Sequence, residues 1–127
     1  MTFWLLLFGS AFSNAHAQAP DQAFTLAREA KVAFKAGDFE QALKKYKEAN
    51  RLRPNPILDI NIGQCLERLK RPDQALLHCK IALNARDVSK AVRAAARDCV
   101  NRVSQELTPP ELEVTSEPSG AQVLIDG

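Results

Sequence analysis

The sequence predicts an all-α protein of stacked helical hairpins, followed by a short β segment near its C-terminal end. Three observations predict this fold class. A segment recurs at an interval of 33 residues, apolar residues recur at helical spacing, and capping residues, glycine and proline separate the helical stretches. Residues 37–43 return as residues 70–76, and the same offset places Ala30 on Gly63. Small residues therefore recur where neighbouring helices must approach closely.

The first predicted hairpin contains two helices joined by a glycine turn. Asp21 is placed to cap the first helix, which runs from about residue 22 to residue 36 and ends at Gly37. Asp38 and Gln41, three residues apart, form a capping-box pattern at the start of the second helix.

The second predicted hairpin uses proline at the start of both of its helices. Asn55 is placed to cap the third helix, with Pro56 in the first turn, where the missing N–H is harmless. Pro72 begins the fourth helix, which continues to about residue 85. A fifth helix over residues 88–107 has one apolar face and is predicted to cap the stack. Two hairpins plus a capping helix form the predicted helical domain, residues 18–107.

Composition and charge limit the classes of function. The chain has 127 residues, of which 46% are hydrophobic and 25% charged, values typical of one globular domain. The formal net charge is only +2, and the basic residues are interleaved with acidic ones. No nucleic-acid partner is therefore expected.

The first 17 residues are predicted to be a cleaved signal peptide. The run from Phe3 to Phe12 is almost wholly apolar, and Ala15-His16-Ala17 has the small-x-small spacing of a signal-peptidase site, with cleavage before Gln18. A membrane anchor and a buried helix are the alternatives. The run is shorter than the ~20 residues that span a bilayer, so no transmembrane span is predicted.

Three cysteines follow the predicted signal peptide, and an odd number leaves at least one without an intrachain partner. The favoured interpretation is three buried thiols, because Cys65, Cys79 and Cys99 all lie among apolar helix residues. A disulfide between Cys79 and Cys99 is the alternative, since the repeat register places them on facing helices. No metal site is expected, because the chain lacks CxxC and His78 is the only histidine after the signal peptide.

Residues 111–127 change from helical to alternating periodicity. Leu112 and Val114, then Val123 and Ile125, alternate with polar residues around a turn over residues 117–120. This pattern predicts a short β-hairpin. Because an isolated pair of strands is marginal in water, the hairpin is expected to be an incomplete part of a larger β-module.

The helical repeat resembles the tetratricopeptide repeat (TPR), whose signature combines small, aromatic and proline positions. The second copy departs from that signature, with Lys70 for the inter-helix glycine, Pro72 for the aromatic residue, and Asp59 where a bulky apolar residue is usual. The resemblance covers residues 22–107 and implies an α-solenoid that binds proteins. The first copy carries the matching residues Gly37, Phe39, Ala42, Tyr46, Ala49 and Pro54.

Residues 111–127 resemble the start of a PEGA domain, a small β-module of bacterial envelope proteins. The motif reads Pro118-Ser119-Gly120-Ala121, followed by alternating apolar residues. A signal peptide, TPR hairpins and a PEGA-like module in this order resemble envelope proteins of Gram-negative bacteria, which implies a periplasmic or secreted location.

No catalytic pattern is found, and no enzyme activity or cofactor is expected. The sequence lacks a glycine-rich phosphate loop and GxSxG, and His78 is predicted to be a helix-surface histidine rather than a base. The predicted binding surface is instead the groove formed by the first helix of each hairpin. Its predicted residues are Lys31, Lys35, Asn61, Gln64, Arg68, Lys90, Arg93 and Arg97.

The resemblance to TPR proteins implies a non-enzymatic interaction scaffold whose mainly basic groove holds an acidic or extended peptide or a protein. Some TPR proteins clamp peptide C-termini with two lysines, two asparagines and an arginine. This chain has the matching residue at two of these positions, Asn61 and Lys90, whereas Ala27, Lys31 and Ala94 occupy the other three. A solvated basic face is the alternative for these side chains. A structural spacer that presents the PEGA-like module to the cell envelope is the alternative function.

Overall fold

A computed structural model describes residues 15–108, with side chains from residue 21 onward. This part of the chain is all-helical, as predicted, and none of its helices is long and apolar enough to cross a membrane. The predicted β-hairpin and most of the predicted signal peptide lie outside the described residues. The helices are α1 (Ala15–Lys35), α2 (Phe39–Leu52), α3 (Pro56–Arg68), α4 (Pro72–Leu83) and α5 (Lys90–Leu107).

The start of α1 differs from the prediction. The helix begins at Ala15, so Asp21 lies inside it and does not cap its N-terminus. Alanine has the highest helix propensity, and Ala15, Ala17 and Ala19 extend the helix before the predicted cap. The capping potential of an aspartate does not act when the helix continues past it.

The predicted caps of α2 and α3 are confirmed. The Asp38 side chain accepts a hydrogen bond from the backbone N–H of Gln41 at 3.2 Å, and Asn55 accepts one from the N–H of Ile57 at 2.9 Å. Ser89 caps α5 in the same way, through the N–H of Val92. These contacts satisfy N–H groups that have no partner within a helix.

The first helix of each hairpin ends in the same hydrogen-bonding pattern. Asp38 donates its N–H to the carbonyl of Ala33, and Arg71 donates to the carbonyl of Leu66, both at 2.9 Å. This Schellman arrangement requires a left-handed residue just before the donor. Gly37 takes that conformation with φ of 83°, and Lys70 takes it with φ of 61°. Lysine therefore occupies, in the second copy, a conformation that favours glycine.

The core confirms the 33-residue register. Sequential helices pack against each other, and α3 contacts α5 in addition to its neighbours α2 and α4, which makes it the central helix. Small residues occupy equivalent positions of the repeats, and they are buried where two helices meet. They are Ala30, Gly63 and Ala96 in the first helices, and Ala42, Ala75, Ala49 and Ala82 in the second helices.

A disulfide joins Cys79 on α4 to Cys99 on α5, with a Cα–Cα distance of 5.7 Å. The interpretation of three free thiols is therefore wrong for these two cysteines and holds only for Cys65. The bond lies against Gly63 of α3, where a Cβ atom would be 2.9 Å from the sulfur of Cys79 and 3.3 Å from that of Cys99. Glycine makes room for the disulfide on the central helix.

The remaining thiol, Cys65, is buried on α3. Burial raises its pKa from 9.0 to about 11, because the charged thiolate loses hydration there. The folded protein therefore keeps this proton longer than the unfolded chain does. Stability that is present below about pH 9 should be lost as the pH rises toward 11.

A polar network occupies the point where α2, α3 and α4 meet. Asp59 is only 8% exposed, and its carboxylate accepts a hydrogen bond from the amide of Asn50 at 3.3 Å. Nδ1 of His78 lies 3.0 Å from the same carboxylate oxygen, and the side-chain oxygen of Asn50 accepts from the N–H of Asn55. His78 is thus a half-buried partner of Asp59, not the surface histidine that the sequence predicted. This network explains an aspartate where the repeat usually has an apolar residue.

Replacing Ala42 by leucine should lower the free energy of unfolding by roughly 1–3 kcal/mol, because Ala42 is fully buried between two helices. Chemical denaturation with circular dichroism measures the change. Ala94→Leu adds the same volume on the exposed face of α5 and should have little effect. Equal stability of both variants would contradict the close approach at Ala42.

Replacing Lys70 by glycine should raise the free energy of unfolding by up to about 1 kcal/mol. A side chain in the left-handed region costs roughly 1–2 kcal/mol, and glycine removes this cost. The greater freedom of glycine in the unfolded chain offsets part of the gain in stability. Lys80→Gly, at an exposed position in the last turn of α4, should instead lower stability. Destabilisation by both substitutions would contradict the left-handed conformation of Lys70.

Thiol alkylation should distinguish the three cysteines. Without reductant, we expect no rapid labelling of the folded protein, because Cys65 is buried and its thiol is neutral at pH 7. After denaturation one thiol should react, and after reduction all three should react. Reduction should also lower stability by about 3 kcal/mol, the value typical of a closed loop of this length. Three reactive thiols in denatured, unreduced protein would rule out the bond.

Candidate functional site

The groove between α1 and α3 contains a shallow cavity of about 280 Å³ with apolar walls, here called the apolar cavity. Phe24 and Ile57 stand on its two sides and are 65% and 48% exposed, unusually high for large apolar side chains. Ala27 and Leu58 lie between them, and Lys31 and Asn61 form the end of the cavity that faces the C-termini of the two helices.

A second cavity, here called the polar cavity, has a volume of about 620 Å³ and also reaches α5. Charged and amide side chains make up most of its wall. They are contributed by the C-terminal halves of α1, α3 and α5 and by the turn after α3. The lining residues are Phe34, Gln64, Glu67, Arg68, Lys70, Arg102 and Glu106.

The two cavities follow each other along the same groove. Lys31 in the apolar cavity and Phe34 in the polar cavity are three residues apart on α1, and so are Asn61 and Gln64 on α3. Residues three apart lie on the same face of a helix, about one turn along the axis. A ligand lying in the groove can therefore contact both cavities.

Arg68 is the most constrained cation of the groove. Its guanidinium carbon lies 5.8 Å from the ring centre of Phe34 and 5.7 Å from that of Phe39, and the two rings pack edge to face at 5.2 Å. Such cation–π contacts attract the guanidinium and limit its positions. Among the described residues, Arg68 has no carboxylate partner, so its N–H groups can bind a ligand.

Arg102 is occupied by neighbouring acids. It donates two hydrogen bonds of 2.8 Å to the carboxylate of Glu67, from α5 to α3, and one of 3.0 Å to Asp98. The hydrogen bonds that Arg102 donates to Glu67 raise the pKa of Arg102, because they favour its charged form. Arg102 and Glu67 therefore neutralise each other and hold α5 to α3.

The structure brings together four of the predicted groove residues. Lys31 and Asn61 share the apolar cavity, and Gln64 and Arg68 share the polar cavity. Lys35 is exposed and lines a neighbouring depression on α1, which it shares with Lys31. Binding of a partner by these residues stays a prediction.

The predicted residues of α5 lie elsewhere. Lys90 and Arg97 are exposed and line neither cavity. Arg93 donates hydrogen bonds to the carbonyls of Leu83 at 2.9 Å and Ala85 at 3.1 Å. These carbonyls lie at the end of α4, where the helix has no internal donors left. Arg93 therefore caps α4, and the expectation that it projects into the groove needs correction.

The sequence prediction missed the aromatic and apolar residues of the groove. Phe34 is half-buried, and its ring supports Arg68. Phe24 and Ile57 lie outside the buried stripes at equivalent positions, 33 residues apart. That recurrence is the signal that could have identified them, because one isolated exposed apolar residue means little.

The groove combines exposed apolar surface, amide side chains and cations. The half-buried His78 pairs with Asp59 in the polar network where α2, α3 and α4 meet. Within residues 15–108 no three His, Cys, Asp or Glu side chains lie close enough to hold a metal ion.

Comparison with known families gives one match, and comparison with curated proteins gives none. A model of the tetratricopeptide repeat matches residues 23–56, which include most of α1, all of α2 and the N-cap of α3. Repeats of this kind are generally protein–protein interaction modules and typically non-enzymatic scaffolds. The first hairpin of this chain, which carries the α1 side of the groove, is thus similar to a tetratricopeptide repeat.

Proposed function

We propose that the protein is a non-enzymatic scaffold that binds an extended segment of a partner protein in the groove between α1 and α3. The observation that carries this proposal is the continuity of the apolar and polar cavities along that groove. The match of the first hairpin to an interaction repeat supports it.

The exposed apolar side chains of the groove support the hypothesis that it binds a partner rather than being only a solvated surface. Phe24 and Ile57 project from adjacent helices around one depression, with Ala27 and Leu58 between them. An exposed apolar cluster with polar neighbours is typical of an interaction site. Lys31 and Asn61 stand at its edge, where they can donate hydrogen bonds to the backbone carbonyls of a bound segment.

The charge of the polar cavity favours an acidic partner. Glu67 is neutralised by Arg102, whereas Arg68 and Lys70 have no carboxylate partner among the described residues. Glu106 is the acid that offsets them at this site. The excess of available cations favours a carboxylate over a cationic ligand.

We also propose that the protein is exported and acts in the bacterial periplasm or outside the cell. The apolar run before Ala15-His16-Ala17 supports export. The Cys79–Cys99 bond is consistent with an oxidising compartment. The intact mass of protein from its native host reports both the bond and a start near Gln18.

A structural spacer is the second candidate function. One observation favours it: α5 is joined to α4 by the disulfide and to α3 by the Glu67–Arg102 pair. A rigidly attached α5 is suited to present the PEGA-like segment, residues 111–127, to the cell envelope. In that function the groove residues would bind nothing.

Charge reversal in the groove distinguishes the binding scaffold from the structural spacer. Lys31→Glu with Arg68→Glu should reduce capture of specific partners from an envelope extract by about tenfold, since two attractive contacts become repulsive. Quantitative mass spectrometry of the captured proteins measures the loss. Capture should also weaken at high salt, because exposed charges are screened.

The matched control is Lys44→Glu with Lys80→Glu, which changes the net charge equally on exposed positions of the second helices. The control should retain the partners, and circular dichroism should show equal helicity in all variants. If the groove variant captures the same partners as the control, the spacer function is favoured.

A further inference from the structure

We infer that the groove recognises an extended segment with a large apolar side chain and an acidic side chain four residues apart. This inference rests on the proposed function, because it names the ligand of the same groove. The apolar side chain would enter the apolar cavity, and the carboxylate would meet Arg68 in the polar cavity.

The spacing follows from the length of the groove. Ile57 and Arg68 are 11 residues apart on α3, which corresponds to about 16 Å along the helix. Four residues of an extended segment span about 13 Å, and their side chains point to the same side. The long side chains of Arg68 and of the ligand's acid cover the remaining distance. A separation of two residues would be too short for both contacts.

The apolar anchor is defined by Phe24 and Ile57. Both side chains are more exposed than large apolar residues normally are, and both face the same cavity of about 280 Å³. A leucine- or phenylalanine-sized side chain between them would remove both from water. Ala27 and Leu58 add to the apolar surface of the cavity, and Arg28, Tyr46 and Asn55 complete its lining.

The acidic anchor is defined by Arg68. The Phe34 and Phe39 rings hold its guanidinium, so less side-chain freedom is lost when a carboxylate binds. A guanidinium can bind a carboxylate through two parallel hydrogen bonds. Gln64 lies one turn earlier on the same wall and can donate a third.

Other charges around the polar cavity limit the number of acids. Lys70 adds a second cation, but Glu106 lies on the same wall, and Glu67 and Arg102 satisfy each other. The cavity therefore suits one carboxylate better than a cluster of them. Between the two anchors, Lys31 and Asn61 contact the ligand backbone, so the three middle residues should vary freely.

Peptide display on the full-length protein tests the pattern. Random nonapeptides displayed with their C-termini blocked should yield sequences with one large apolar residue and one acid four positions apart. Arg68→Gln should remove the preference for the acid and keep that for the apolar residue. Phe24→Ala with Ile57→Ala should remove the preference for the apolar residue and keep that for the acid. Lys80→Gln, on the exposed face of α4, is the control and should select the original pattern.

Synthetic peptides then measure the spacing by fluorescence anisotropy. An amidated peptide with leucine and glutamate four positions apart should bind at least tenfold more tightly than peptides with separations of two or six. A peptide that binds only with a free C-terminal carboxylate would overturn the inference, since the terminus would then replace the acidic side chain.

Two further outcomes separate the inference from the proposed function. Peptides that bind in the groove without the predicted spacing overturn the inference alone. If no selected peptide depends on Lys31, Asn61 or Arg68, the proposed function fails as well.

Discussion

The close approach of neighbouring helices at small residues is the constraint on which the rest of this structure depends. Fully buried alanines or glycine recur every 33 residues at these contacts, as at Ala42 and Ala75. Interiors of proteins are close-packed, so a larger side chain there would separate the helices. The separation of α1 from α3 would change with it, and the two cavities of the groove lie between those helices.

The second repeat solves the same packing problem with different chemistry. Where the first copy has Tyr46 at the contact between helices, the second has Cys79, bonded to Cys99 of α5. The aromatic ring fills space, whereas the disulfide both fills space and attaches the last helix. Gly63 is the residue of α3 that allows this, because its missing side chain leaves room for the sulfur atoms. The cysteine at position 79 and the glycine at position 63 thus have one physical reason, the disulfide.

Most of the fold follows from local sequence patterns. The predicted caps at Asp38 and Asn55 and the proline starts of α3 and α4 act between residues close in sequence. Such short-range contacts are legible in the chain itself. The start of α1 was predicted wrongly, because the helix continues past Asp21 to Ala15 and a capping residue acts only where a helix begins.

The sequence by itself determined the helical repeat, the turn at Gly37 and the positions of the first helices, whose faces form the groove. Only the tertiary structure decided which cations remain available there: Arg93 caps α4, Arg102 pairs with Glu67, and Arg68 rests on Phe34 and Phe39. The pairing of Cys79 with Cys99 was decided in the same way. The physical reason is that helical spacing assigns a side chain to a face, whereas its partners depend on which distant segments pack beside it.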